Sequence, residues 1–148
     1  MAHGTHDHQD DSRNSDIVIR INDDLLPREK AMVSVFDSGF ILGDGVWEGI
    51  RVHNGRLAFV EDHLRRLYEG AKAIDLDIGR SPAELEAMVM ETLAANQMTD
   101  GVHIRLMISR GVKSTPYQDP RFTVGPPTIV IVPEFKEARP ETLTTGLK

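Results

Sequence analysis

The sequence predicts an α+β domain: an antiparallel sheet with two helices packed on one face. Three observations predict it. Short apolar runs of period two recur near both ends of the chain, two helical stripes sit together in the middle, and an Asn-Gly pair joins two of the alternating runs. Strands segregated from helices in this way separate the class from a fold that alternates the two, and the helices then cover one sheet face.

The elements follow in chain order. IVIRI, from Ile17 to Ile21, alternates as a first strand, after which Asp23 and Asp24 turn the chain and Pro27 ends the connection. AMVSVF, from Ala31 to Phe36, is the second strand candidate. In VWEGIRVHNGRLAFV the Asn54-Gly55 pair is a strong hairpin signal, placing Glu48 to His53 and Arg56 to Val60 on adjacent antiparallel strands. EDHLRRLYEGAKAIDL then carries Leu64, Leu67, Tyr68, Ala71 and Ile74 at helical spacing, with Glu61 and Asp62 in the first turn, where the helix dipole favours negative charge. Ser81-Pro82-Ala83-Glu84 is a capping box with proline at the first helical position, and Leu85, Met88, Val89 and Leu93 give that second helix its apolar face. Gly101 separates it from VHIRLMIS, an alternating strand from Val102 to Ser109, and TIVIVP from Thr128 to Pro133 is a continuous apolar one. Between these two lies RGVKSTPYQDPRFTVGPP, a polar, proline-rich connection of a length that is usually functional or disordered.

Bulk properties narrow the function. A chain of 148 residues is enough for one domain with a real core. A formal net charge of −6 argues against nucleic acid, which needs a basic face, and against an anionic membrane surface. Cysteine is absent, which removes disulfides and thiolate metal sites and fits a cytoplasmic protein. No apolar run approaches the ~20 residues of a membrane span. Residues 1–16 lack the apolar core of a signal peptide and read as a disordered arm ahead of a domain over 17–148. His3, His6 and His8 in that arm could hold a metal weakly, but a floppy tail explains them better, and no metal site is expected. Phosphate-loop and Gly-x-Ser-x-Gly signatures are missing.

GDGVWEGIR, residues 43–51, carries the chemistry. In a strand, Ile50 and Val52 point one way while Trp47, Gly49, Arg51 and His53 point the other. In the later strand, His103, Arg105, Met107 and Ser109 share the face opposite Val102, Ile104, Leu106 and Ile108. If the two strands are close, Arg51 and Arg105 converge on a volume suited to a carboxylate or phosphate, which guanidinium forks match. Gly49 would leave space between them and Trp47 would supply an apolar wall. An ordinary solvent face, with the arginines paired to Glu48 or Asp44, accounts for the same alternation. On the first long helix either Arg65 or Arg66 is drawn toward the sheet edge, and His63, three residues before Arg66, reads as a packing or capping group.

Taken in order, FDSGFILGDGVWEGIRVHNGRLAFVEDHLRRLYEGAKAIDL resembles the amino-terminal domain of class IV, fold-type IV pyridoxal-phosphate aminotransferases, the branched-chain type above all. The resemblance runs from about residue 17 to 148. It implies pyridoxal phosphate as cofactor, with Arg66 of HLRRL binding its phosphate. It implies Trp47, Gly49, Arg51 and Arg105 on the substrate side, small-molecule amino acids and 2-oxo acids as substrates, and a homodimer in which the loop around Tyr117 reaches a neighbouring subunit. His103 and Leu42 stand where the branched-chain type has an aromatic hydroxyl and a tyrosine. Thr115 and Tyr117 stand where the D-amino-acid type holds the substrate carboxylate with arginine and histidine, which argues against that specificity. Trp47 replaces a smaller aromatic and should narrow the pocket. The family's Schiff-base lysine belongs to a second domain, and none of Lys30, Lys72, Lys113, Lys136 or Lys148 has its sequence context, so the chain alone is expected to be inactive. Two other functions fit the same residues: aminodeoxychorismate lyase activity within the family, and a non-catalytic ligand-binding or dimerisation module.

Overall fold

The computed structural model describes residues 11–137. Six strands form one sheet: β1 (Val18–Ile21), β2 (Asp24–Pro27), β3 (Gly45–His53), β4 (Arg56–Leu57), β5 (Val102–Ser109) and β6 (Thr128–Phe135). They lie in the order β2-β1-β6-β5-β3-β4, every pair antiparallel. The helices are α1 (Ser38–Leu42), α2 (Val60–Ala73) and α3 (Pro82–Ala95). The architecture is the α+β arrangement expected, with a third, short helix added.

Alternation explains where the core sits. Ile50 and Val52 of β3, Ile104 and Leu106 of β5 and Ile131 of β6 are buried on one sheet face, against Leu64, Leu67 and Ala71 of α2 and Leu85, Val89 and Leu93 of α3. Burying one such side chain contributes roughly 1.5–3 kcal/mol. Tyr68 is half-buried, with its hydroxyl donating to the Arg80 carbonyl and its own ionisation pushed up to about 12, first by burial. Ile74, expected on the buried stripe, closes α2 as its C-cap and is largely exposed.

Three local expectations are corrected. Ala31 to Phe36 forms no strand. The antiparallel partner of β1 is β2, joined by the two-residue turn Asn22-Asp23 with Asn22 at φ +52°, and β6 occupies the other edge of β1. A 3-10 turn over Arg28–Lys30 carries the chain off the sheet, leaving Met32, Val35 and Phe36 exposed. The second hairpin strand stops at Leu57 instead of Val60, because Phe59 adopts a left-handed backbone, φ +51°, and turns the chain directly into α2. The hairpin turn itself is as expected: Asn54 and Gly55 are both at positive φ between the paired His53 and Arg56. Helix α1 went unread although its signals are local: Asp37 accepts from the Gly39 N–H at 2.8 Å, and Gly43 ends the helix in the left-handed region, φ +67°.

His3, His6, His8 and the first ten positions of the expected arm lie outside the described residues, as do residues 138–148 with Lys148. From Asp11 onward the chain is packed: Asn14 holds both the N–H and the carbonyl of Phe135, at 2.8 and 3.0 Å, and Arg13 lies 4.1 Å over the Phe135 ring.

The capping box of α3 is complete, with Ser81 Oγ accepting from the Glu84 N–H and Glu84 Oε2 accepting from the Ser81 N–H at 2.7 Å. Ser81→Ala should therefore lower stability by about 1 kcal/mol, read from the urea midpoint at unchanged slope.

Candidate functional site

Strand β3 builds the site from both of its faces. Glu48 is its one charged residue on the helix-facing side, and only 5% of it is exposed. Such a carboxylate needs partners, and α2 supplies two from adjacent turns. His63 Nδ1 lies 2.8 Å from Glu48 Oε2, and Arg66 donates from Nε to Oε1 at 2.6 Å and from Nη2 to Oε2. The Arg66 guanidinium holds the Glu48 carboxyl below the usual carboxylate range; burial opposes this and His63 assists. An ionised carboxylate only accepts, so His63 carries its proton on Nδ1. Arg66, in return, is held more firmly protonated, first by Glu48. Its side chain is 66% exposed, and among the described residues its Nη1 has no hydrogen-bond partner.

The opposite face of β3 presents Trp47, Gly49 and Arg51, directly across from Met107, Arg105 and His103 of β5. Arg51 and Arg105 thus share a sheet face, as the alternation requires. Arg105 stacks 4.5 Å over the Trp47 ring, and Trp47 remains 59% exposed. Arg51 donates from Nη1 to the Lys136 carbonyl, so its side chain runs across β5 to the end of β6. The open volume expected between the arginines is filled: a Cβ at position 49 would lie 2.9 Å from His103 Nε2. Gly49 makes room for the His103 imidazole.

The surface pairings considered in the sequence also differ. Glu48 goes to Arg66, while Asp44 goes to Arg110, which binds it from Nε at 2.7 Å and caps the α2 terminus through the Ile74 and Asp75 carbonyls. Arg65 points away, to Asp62 and Glu69. Glu48 and His103 were the site residues that alternation alone undervalued. A carboxylate at a core-facing position of a strand was the available signal for the first, and a histidine directly opposite an arginine of the hairpin strand for the second.

A cavity of about 490 Å³ adjoins this face, walled by Ile21, Val33, Trp47, Met107, Val130 and Val132. Its polar end is the buried Asp37, which accepts from the Ser109 hydroxyl at 2.9 Å. In the loop after β5, Tyr117 packs edge-on to Phe122 with ring centroids 5.6 Å apart, and Thr115 is exposed. Lys113 is buried and donates to the Asp119 carbonyl at 2.9 Å.

The fold is that of the amino-terminal domain of fold-type IV aminotransferases. The chain belongs to the class IV aminotransferase family, whose model matches residues 45–144. It is 39% identical over 123 residues to branched-chain-amino-acid aminotransferase-like protein 1 of Arabidopsis thaliana, covering 83% of this chain and 22% of the relative. It is 38% identical over 108 residues to a D-alanine aminotransferase of Listeria monocytogenes, covering 73% of this chain and 35% of the relative. Among solved structures, the branched-chain aminotransferase of Thermoproteus uzoniensis, determined with norvaline, matches with a TM-score of 0.67 and 28% identity, over 80% of this chain and 40% of that one. The 4-amino-4-deoxychorismate lyase of Pseudomonas aeruginosa matches with a TM-score of 0.64 and 25% identity, over 84% and 42%. The chain therefore spans well under half the length of these relatives.

The pH dependence of stability should carry the mark of Glu48. Its folded value lies below its ordinary value near 4.5, so its stabilising contribution is complete above that pH and is lost as pH falls through the folded value. Glu48→Gln should flatten the acid limb of stability below about pH 4.5, measured as urea midpoints against pH.

Proposed function

We propose that the protein serves amino-group transfer between an amino acid of the branched-chain class and a 2-oxo acid, with pyridoxal phosphate as cofactor. The observation that carries this reading is Arg66 of the HLRRL motif. It is fixed through Nε and Nη2 to a buried carboxylate, while the side chain stays 66% exposed with Nη1 left for a second anion. A rigid guanidinium with free donors fits a phosphate monoester. Bound there, the cofactor supplies an aldehyde that takes the amino group and a pyridinium ring that draws off electrons.

The chain's own residues then act as follows. Arg66 binds the phosphate; Glu48 fixes the plane of its guanidinium, and His63 holds Glu48 from the next turn. Trp47 forms an apolar wall with Arg105 laid across it, and Arg51 and Arg105 make this face attractive to the carboxylate of a substrate. Gly49 gives the His103 ring its place on that face. In this reading the Schiff-base lysine belongs to a second domain outside residues 17–148, and the working form is a cytoplasmic homodimer. Among the described residues no helix is long and apolar enough to cross a membrane. Thr115 and Tyr117 themselves offer no cation to a carboxylate, which favours the branched-chain over the D-amino-acid type.

The similarity to the Pseudomonas aeruginosa lyase supports a second reading, carbon–nitrogen lyase activity on aminodeoxychorismate. Pyruvate release from that compound, set against transamination of valine or leucine, separates the two.

Arg66→Ala should weaken pyridoxal phosphate binding by roughly 10- to 150-fold, the equivalent of one charge-assisted bond. Binding of pyridoxal, which has no phosphate, should be unchanged. Equal affinities of the variant and parent for pyridoxal phosphate, by absorbance titration, would remove the assignment.

A further inference from the structure

His103 sits at the meeting point of the charges on the substrate-side face. On β3 it faces Arg51, which donates to the Lys136 carbonyl; two residues along β5 is Arg105; on β6 it faces Glu134. Its ring lies against Gly49 and is half-buried. Among the described residues neither Arg51 nor Arg105 has a carboxylate within 4.0 Å: one is spent on a backbone carbonyl and the other on the Trp47 ring. Three cationic side chains, Arg51, Arg105 and Lys136, therefore surround one imidazole, offset among the described residues by Glu134, while Glu137, against Gly101, is paired with Arg13.

We propose that this face binds a carboxylate together with a proton, the proton passing from solvent to the imidazole of His103. The inference rests on the reading of Arg51 and Arg105 as substrate-side residues and adds His103 to them. In the free protein, burial first, then Arg51, Lys136 and Arg105, hold the imidazole below its ordinary value, so it is neutral near pH 7. A carboxylate bound on this face beside His103, Arg51 and Arg105 offsets much of that positive field. The imidazolium then becomes a third donor to the anion, and its pKa rises. By linkage, the affinity must increase as pH falls through the interval between the free and bound values of His103, by at most about tenfold per pH unit for one proton. His53 also lies on this face of β3, but it is exposed and pairs with Asp100, 3.3 Å away.

The test uses the 148-residue chain and 4-methyl-2-oxopentanoate, which stays ionised throughout. The His103 ring resonances, assigned by their loss in His103→Gln, are followed between about pH 5 and 8 with and without the oxo acid. The expected result is a His103 titration displaced upward by the ligand and an affinity that strengthens toward acid pH. His103→Gln should bind with little pH dependence, and Arg105→Gln should bind several-fold more weakly at every pH. A pH-independent affinity in the parent, with Arg105→Gln still weakened, overturns the proton coupling and leaves the substrate-side reading standing. No binding at any pH, or binding indifferent to both Arg51→Gln and Arg105→Gln, overturns that reading as well. Inorganic phosphate run in parallel identifies the anion: a larger His103 displacement by phosphate than by the oxo acid overturns the carboxylate assignment.

Discussion

The carboxylate of Glu48 is the constraint around which the site is arranged. It is placed by the period of β3 on the side that otherwise holds Ile50 and Val52, and no strand neighbour can neutralise it there. A buried carboxylate without partners is too costly to keep ionised, so α2 must approach β3 with His63 and Arg66 on its near side. Packing of Leu64 and Leu67 alone would tolerate a small rotation of α2 about its axis. The two-point bond from Arg66 does not, because it fixes a planar group against a planar group. One polar interaction thus sets the helix rotation, the tautomer of His63 and the direction of the guanidinium.

Much of this was legible from residue spacing. Strand β5 and the capped helix α3 have local signals that nothing in the tertiary structure overrides. The failures share a cause: a pattern that is locally adequate lost to a competitor. Ala31 to Phe36 alternates well enough for a strand, yet the tight turn at Asn22-Asp23 brings Asp24–Pro27 to the same edge first. Arg56 to Val60 alternates too, but the left-handed Phe59 ends the ladder. Of the site, spacing placed Arg51 and Arg105 on one face. It could not say where the side chains end, since a long arginine travels as far as its nearest free acceptor. Arg51 finds the Lys136 carbonyl and Arg105 finds the Trp47 ring, and neither destination is local in sequence.

Gly49 of β3 and His103 of β5 are fitted to one another across the sheet face. A side chain at position 49 would meet the imidazole at 2.9 Å, so the glycine that elsewhere reads as empty space here accommodates a ring. The ring separates the two guanidinium groups, which then take uncharged partners instead of one shared anion. A neutral imidazole among cations is tolerable because it adds no charge. The face therefore keeps a cationic character, since Arg51 is met by a backbone carbonyl and Arg105 by an aromatic ring.

The two halves of the site lie on opposite faces of one strand, which in most sheets would keep them apart. They do not stay apart here because β4 pairs with β3 only at Val52 and His53. From Gly45 to Ile50 the outer side of β3 has no ladder partner among the described residues, and this is the stretch that contains Trp47, Glu48 and Gly49. A central strand is walled in on both sides and can offer a ligand one face. A strand with an open edge can be approached from the side, where Glu48 with its Arg66 guanidinium and the Trp47 side chain lie on opposite faces of adjacent residues. The short β4, cut off by the left-handed turn at Phe59, therefore leaves the outer edge of β3 without a ladder partner beside Trp47, Glu48 and Gly49 among the described residues. The same left-handed turn starts α2, so the residue that shortens the strand also delivers Arg66 to the edge it leaves open.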